Sequence, residues 1–412
     1  MIGAGIFILP SLLAQSGPIS LFGWIFAAIG GLTLANIFGK LSKVIPENGG
    51  SYAYTKNAFG EFPAFVVAWG YWLSLLTSNT AIALTFAGYL GVFFPEVSKS
   101  ILFAPAVALF IIWLLTYVNS SSVRQGGNLQ VLTTILKVIP IILVAFGGLF
   151  IFDVSNFEPL NISSESDFSA ISSSTLLCFY AFLGIEAASI PADNIKDPEK
   201  NIVRGTMIGV FLVIFIYILS TVSIFGVLSP AEAAQSTAPL SDAAEKIFGN
   251  GAGYWVAIGA CISTFGALNC WILMQGQIFR SMAKDGLVSK YFAHMNLNGS
   301  PSRSILISSL IITVLLLLNS SRGLSSLYAF MTELTTLTSV VFYLSSALVF
   351  GYFSLKGKLG FELNPRNIIT CLIGAGFCLW LFVGASLEIL GWAIVFLLAG
   401  TPIYFYNKKK NS

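Results

Sequence analysis

The chain is 412 residues long, 56% hydrophobic and only 9% charged, far from the roughly 25% charged residues of soluble domains. That balance excludes a water-soluble enzyme, and a net charge of +3, scattered along the chain, excludes a nucleic-acid footprint. Five cysteines in apolar runs and a lone histidine, His294, provide neither a disulfide framework nor a metal centre, so no metal and no cofactor is expected.

The chain opens Met1-Ile-Gly-Ala-Gly-Ile-Phe, without the basic region and cleavage site of a signal peptide. The apolar stretch from Ile2 to Ala14 is too short to cross about 30 Å of hydrocarbon at about 1.5 Å per residue, and it reads as the second half of a broken helix. Eleven full spans follow, near 20–43, 63–93, 101–118, 128–151, 173–192, 203–228, 254–282, 303–319, 325–353, 367–385 and 387–406. With the half-helix they make twelve segments.

The loops after even-numbered segments carry Lys40, Lys43, Lys56, Arg124, Lys196, Lys200, Arg204, Arg280, Lys284, Lys290, Arg303, Lys356, Lys358 and Arg366, and Lys408 to Lys410 share their side. The opposite loops hold only Lys99, Lys246 and Arg322. The bias places the even loops and the C-terminus of a multi-pass membrane protein in the cytoplasm. The longest interhelical stretches, near 152–172, 229–253 and 283–302, are too short for a soluble domain. Function must lie among the helices, in a single membrane domain spanning 1–412.

Two interruptions draw attention. Gly3-Ala4-Gly5 lets the backbone unwind, so that N–H groups at the following helix start face an anion, or else it is a small-residue face for close packing. Gly184 interrupts the aromatic-rich run from Cys178 to Ser189, with Glu186 two residues on. Breaks at the start and near the middle are the pattern of an inverted-repeat secondary transporter, with the substrate between them. A five-plus-five arrangement follows, with a first repeat at 1–151, a second at 173–353, and two additional helices at 367–406. Charges at membrane depth mark pathways or paired groups, and three occur: Lys137, Glu186 and Glu333. Lys137 could instead snorkel to an interface and Glu186 pair with backbone donors.

The ordered set Met1-Ile-Gly-Ala-Gly-Ile-Phe, Gly49-Gly-Ser-Tyr-Ala-Tyr54, Phe182-Leu-Gly-Ile-Glu186, Trp271 to Gln277 and Lys284-Asp-Gly286 resembles the amino acid/polyamine/organocation superfamily. Within it the chain is most similar to the basic amino acid/polyamine antiporters, arginine/agmatine exchangers among them. The resemblance runs over the whole chain and implies an all-α, LeuT-like inverted-repeat fold of twelve segments. It implies that Gly3, Ala4 and Gly5 receive a substrate carboxylate, and that carbonyls near Met1, Tyr180 and Leu183 accept from its ammonium. Side-chain recognition would fall to Ser74, Asn79, Ile82, Trp271 and Thr335. Tyr71, Glu186 and Tyr343 match gating positions.

Ala4 stands where arginine exchangers often have serine, and Tyr180 where they commonly have tryptophan. Lys137 is similar to a lysine that takes a sodium ion's place in other branches, which implies sodium independence. Lys137 and Glu333 are the coupling candidates. The family has an inner half of its first helix ahead of the Gly-Ala-Gly break, so the expected fold has a truncated first helix. Either the start lies upstream or the form is shortened.

The loop Gly39 to Asn48 lacks a major-facilitator signature, no pore loop repeats, and the sparse intramembrane charges argue against an enzyme. The reading is an antiporter exchanging an amino acid, arginine being one candidate, for an amine or another amino acid. The alternatives are a sodium-independent, proton-coupled permease of broad specificity and a non-transporting amino acid sensor. The expected partners are the substrate and membrane lipid, no nucleic acid, and, by analogy with relatives, a second copy in a homodimer.

Overall fold

The computed structural model describes residues 3–45, 49–100, 102–121, 138–188, 198–357 and 364–411. Among the described residues all regular structure is helical. The membrane helices are α1 (Gly5–Ala14), α2 (Leu21–Val44), α3 (Glu61–Leu90), α4 (Phe103–Ser121), α5 (Val138–Ile151), α6 (Asp167–Tyr180), α7 (Pro198–Val227), α8 (Ala252–Lys284), α9 (Ser302–Leu318), α10 (Leu324–Lys356), α11 (Pro365–Val383) and α12 (Leu387–Asn411). Among the described residues eight helices are long and apolar enough to span a bilayer, while α1, α5 and α9 are shorter apolar helices. Connecting helices Ser51–Phe59, Pro95–Lys99, Pro230–Gln235 and Pro239–Phe248 lie between them.

The span read at 173–192 is divided. Its helix starts earlier, at Asp167, because the Ser166 hydroxyl accepts from the Ser169 N–H and an acidic residue follows in the first turn. It stops at Tyr180, and after a turn a short 3-10 helix runs from Ile185 to Ala188. At 33 residues each, α8 and α10 reach about 50 Å, so their ends project beyond the hydrocarbon.

Burial grades the helices from axis to lipid. The most apolar window of α3 is 89% buried, whereas those of α11 and α12 are 22% buried, so α3 is the axis and the last two helices face lipid. Packing separates two groups: α1, α2, α6 and α7 pack on one another, and so do α3, α4, α8 and α9, with α10 bridging them. The contact of α2 with α6 is matched by that of α7 with α1, and the contact of α3 with α9 by that of α8 with α4. Each match shifts both helices by five. Close approach depends on small residues: a Cβ on Gly23 of α2 would sit 2.7 Å from the Ser174 carbonyl carbon of α6.

Loops assigned to one side do meet. On the basic face, Tyr52 donates to Asp285, Lys56 lies 3.9 Å from Asp285, Lys408 pairs with Glu61 at 3.0 Å, and Lys40 donates to Asn367 at 2.9 Å. On the other face Arg322 pairs with Glu388, and the Ile19 N–H donates to the Leu160 carbonyl at 2.8 Å.

Candidate functional site

The site starts from the two breaks. The first turn of α1 follows Ala4, whose side chain cannot cap it, and the Phe7 N–H turns back to the Ala4 carbonyl at 3.1 Å. Beside it the chain leaves α6 through single-turn bonds, Ala181 N–H to the Cys178 carbonyl at 3.1 Å and Leu183 N–H to the Tyr180 carbonyl at 3.2 Å. Gly184 then takes φ +103°, a conformation that favours glycine. A Cβ on Gly5 would lie 3.3 Å from the Ala181 Cβ, so the interruptions abut. Tyr217 of α7 reaches the backbone of Gly3, and the Tyr180 ring meets Tyr328 edge-on at 6.4 Å.

Just past the α6 break, the Glu186 carboxylate is fully buried and accepts from the Tyr71 hydroxyl at 2.8 Å, the Gly184 N–H at 3.0 Å and the Tyr343 hydroxyl. This joins α3, α10 and the break through one carboxyl group. Charge-assisted bonds are the strong ones, and a buried carboxylate left without them is costly. Tyr71 also stacks on Phe342 at 4.4 Å, and Tyr343 packs edge-on against Phe38 and Phe179.

A small cavity of about 10 Å3 lies between α3, α8, α10 and the break, lined among others by Ser74, Ser78, Leu183, Trp271, Thr335 and Ser339. It has room for about one water. A vestibule of about 530 Å3, with Tyr52, Met274, Lys284 and Asp285 in its wall, lies toward the basic face. Tyr71 lines both spaces. The Tyr71–Glu186–Tyr343 cluster therefore stands between vestibule and centre.

The structure brings Ser74, Leu183, Trp271 and Thr335 together around the cavity, with the Gly3-Ala4-Gly5 turn abutting the α6 break. Ile82 is buried in the apolar core. Asn79 is turned elsewhere: its amide donates to Gln275 at 2.7 Å, and Gln275 donates to Ser309, which shares a 2.6 Å bond with Thr116. That chain ties α3, α8, α9 and α4 together. Glu333 is absent from the cavity wall, and among the described residues the charges that act on it are Glu165 and Glu388. Met1 and Lys137 lie outside the described residues.

Sequence reasoning missed Ser78 and Ser339, although both carry a signal. Tyr71, Ser74 and Ser78 on α3, and Thr335, Ser339 and Tyr343 on α10, recur at three- and four-residue intervals and so form one stripe on each helix. Among the described residues no group of His, Cys, Asp or Glu could hold a metal.

The profile of the amino acid permease family matches residues 1–402. The chain is 30% identical over 423 residues to the cadaverine/lysine antiporter of Escherichia coli strain K12, covering 99% of this chain and 92% of that relative. It is 28% identical over 417 residues to the putrescine transporter PotE of Haemophilus influenzae, covering 100% of this chain and 94% of the relative. With the arginine/ornithine antiporter of Pseudomonas aeruginosa it shares 29% identity over 409 residues, covering 95% and 84%.

Proposed function

The chain belongs to the amino acid permease family, and from that premise we propose that this multi-pass membrane transporter exchanges an amino acid for an amine or another amino acid. The coarse activity, antiport of an amino acid or amine, accords with relatives named for cadaverine/lysine, putrescine and arginine/ornithine. The finer reading takes a basic amino acid, arginine among the candidates, as one substrate. Its carboxylate meets the uncapped start of α1 at Gly3-Ala4-Gly5, and its ammonium meets carbonyls at Tyr180 and Leu183. The distal cation lies against Trp271 and the hydroxyls of Ser74 and Thr335, where a desolvated cation–π contact is worth about 2 kcal/mol.

The observation that carries this reading is the abutment of the two breaks, Gly5 against Ala181, beside a hydroxyl-lined cavity. On this reading helix-start donors and unwound carbonyls serve one volume, which is what a zwitterionic head group needs. The Tyr71–Glu186–Tyr343 cluster acts as the gate toward the vestibule. The paired contacts five helices apart support two inverted repeats, 1–151 and 173–353, that move against each other, with 367–406 as added helices. The basic face is cytoplasmic, in a bacterial inner membrane.

Calorimetric titration of the purified protein with arginine, lysine, agmatine, cadaverine and leucine tests the substrate class. Cationic ligands bind and Trp271→Leu weakens them roughly thirtyfold, the equivalent of about 2 kcal/mol. Binding of leucine alone, or cation binding untouched by Trp271→Leu, contradicts the reading.

A further inference from the structure

The Lys284-Asp-Gly286 motif is not used by the central site. Its structural part is a helix stop: α8 ends at Lys284, Gly286 takes φ +75°, its N–H donates to the Ala283 carbonyl at 3.1 Å and the Leu287 N–H to the Met282 carbonyl at 2.9 Å. This is the paired-bond glycine cap of a helix C-terminus, and buried Leu287 anchors it. The stop holds Lys284 beside the chain that leads to Lys290.

The two lysines border a second cavity on the basic face, about 330 Å3 in volume, which Glu61, Asp285, Tyr404 and Lys408 also line. That volume lies at the lower end of the roughly 300–1,000 Å3 of small-ligand sites. Its carboxylates are already engaged: Glu61 by Lys408 at 3.0 Å, and Asp285 by the Tyr52 hydroxyl and Lys56. Among the described residues neither Lys284 nor Lys290 has a carboxylate within 4.0 Å. The wall therefore carries three lysines against two carboxylates, with Lys284 and Lys290 outside any ion pair among the described residues.

Lipid-facing surface adjoins this wall. Tyr404 lies under the Lys408 ammonium, and the exposed rings of Phe62 and Phe405 stack at 5.5 Å. Below them α12 presents exposed Ile394, Val395 and Leu398. Cations in a concave wall, an aromatic rim and an apolar helix face form the sequence of environments met by a phospholipid from head group to tail. We propose that this cavity binds the phosphate group of an anionic phospholipid, with Lys284 and Lys290 as its counter-ions and the acyl chains along α12. A free phosphate shares the head-group chemistry but has no use for the apolar rim. Because Lys284 and Asp285 also border the vestibule, an occupied site sits directly beside the inner access route.

Native mass spectrometry of the detergent-purified protein titrated with phosphatidylglycerol tests this, with phosphatidylcholine and inorganic phosphate as parallel probes. Phosphatidylglycerol adducts are expected at stoichiometry one. The pair Lys284→Gln and Lys290→Gln should lower their affinity about tenfold, while the charge-matched pair Lys43→Gln and Lys356→Gln on the same face leaves it unchanged. Both pairs are surface changes, and matching thermal midpoints confirm that they fold. An equal loss in both pairs, equal adducts with phosphatidylcholine, or inorganic phosphate binding as tightly as the lipid would each overturn the proposal.

Discussion

The Glu186 carboxylate is the residue on which the account turns most sharply, since three donors from three parts of the chain converge on it. A hydrogen bond to a charged group contributes about 1.5–3 kcal/mol. Tyr343→Phe should therefore shift the gate toward its open form by roughly ten- to a hundredfold. The rate at which an impermeant thiol reagent, applied from the basic face, labels a Ser78→Cys reporter measures that shift, and an unchanged rate would remove the cluster from gating. At this scale the residue types were legible, but which side of a helix they face was only partly so. Asn79 follows Ser78 by about 100° around α3, which is enough to turn it from the cavity to Gln275. Glu333 precedes Thr335 by two positions, about 200°, and so leaves the stripe that Thr335 and Ser339 share. A polar residue near a site in sequence occupies it only when the helical period agrees.

At the scale of elements, hydropathy alone located the twelve segments, because every backbone group at membrane depth must be satisfied within a helix. The ends were less legible, since they are set by caps such as Ser166 and by connecting helices that carry little apolar signal. The close contact between α2 and α6 was not legible either, because it depends on a glycine meeting backbone. Gly23→Leu should block folding, since even a Cβ there lies 2.7 Å from Ser174, whereas Gly376→Leu, with nothing within 4 Å, should not. Yield of monodisperse protein on size-exclusion chromatography separates the two. The outer helix Pro230–Gln235 is held by a capping box in which Ser229 accepts from the Glu232 N–H and Glu232 accepts in return. Ser229→Ala should cost about 1 kcal/mol of local stability, read by hydrogen exchange over 230–235. Hydrogen bonds from Lys246 and from Ser229 hold the Glu232 carboxyl down at about 2. Its stabilising share is complete above the usual carboxylate range and is lost as pH falls toward 2. The same exchange measurement should thus show the helix keeping its protection at pH 4.

Across the whole molecule, a group of α1, α2, α6 and α7 rests against a group of α3, α4, α8 and α9, with the two breaks abutting inside the first group and the small cavity between α3, α8, α10 and the α6 break. That the two breaks come together was readable from their spacing, while the packing of the helices into two groups and the contacts at Glu186 were not, because both depend on side chains meeting across helices. The cavity of about 10 Å3 beside the vestibule of about 530 Å3 does not hold an amino acid as it stands, and on the proposed reading the two groups move to admit one. Transport then depends on ligand favouring one arrangement over another. If the basic face is cytoplasmic, a cysteine at 409 should resist external impermeant reagent in intact cells, whereas one at 387, at the opposite end of α12, should be labelled. The central claim is exchange, and its most direct measurement is uptake of labelled arginine and lysine into proteoliposomes preloaded with arginine, agmatine, cadaverine, leucine or buffer. The account predicts uptake only when a basic amino acid or amine is inside. Uptake that is equally fast into buffer-filled vesicles would contradict antiport, and uptake driven only by internal leucine would contradict the cationic substrate.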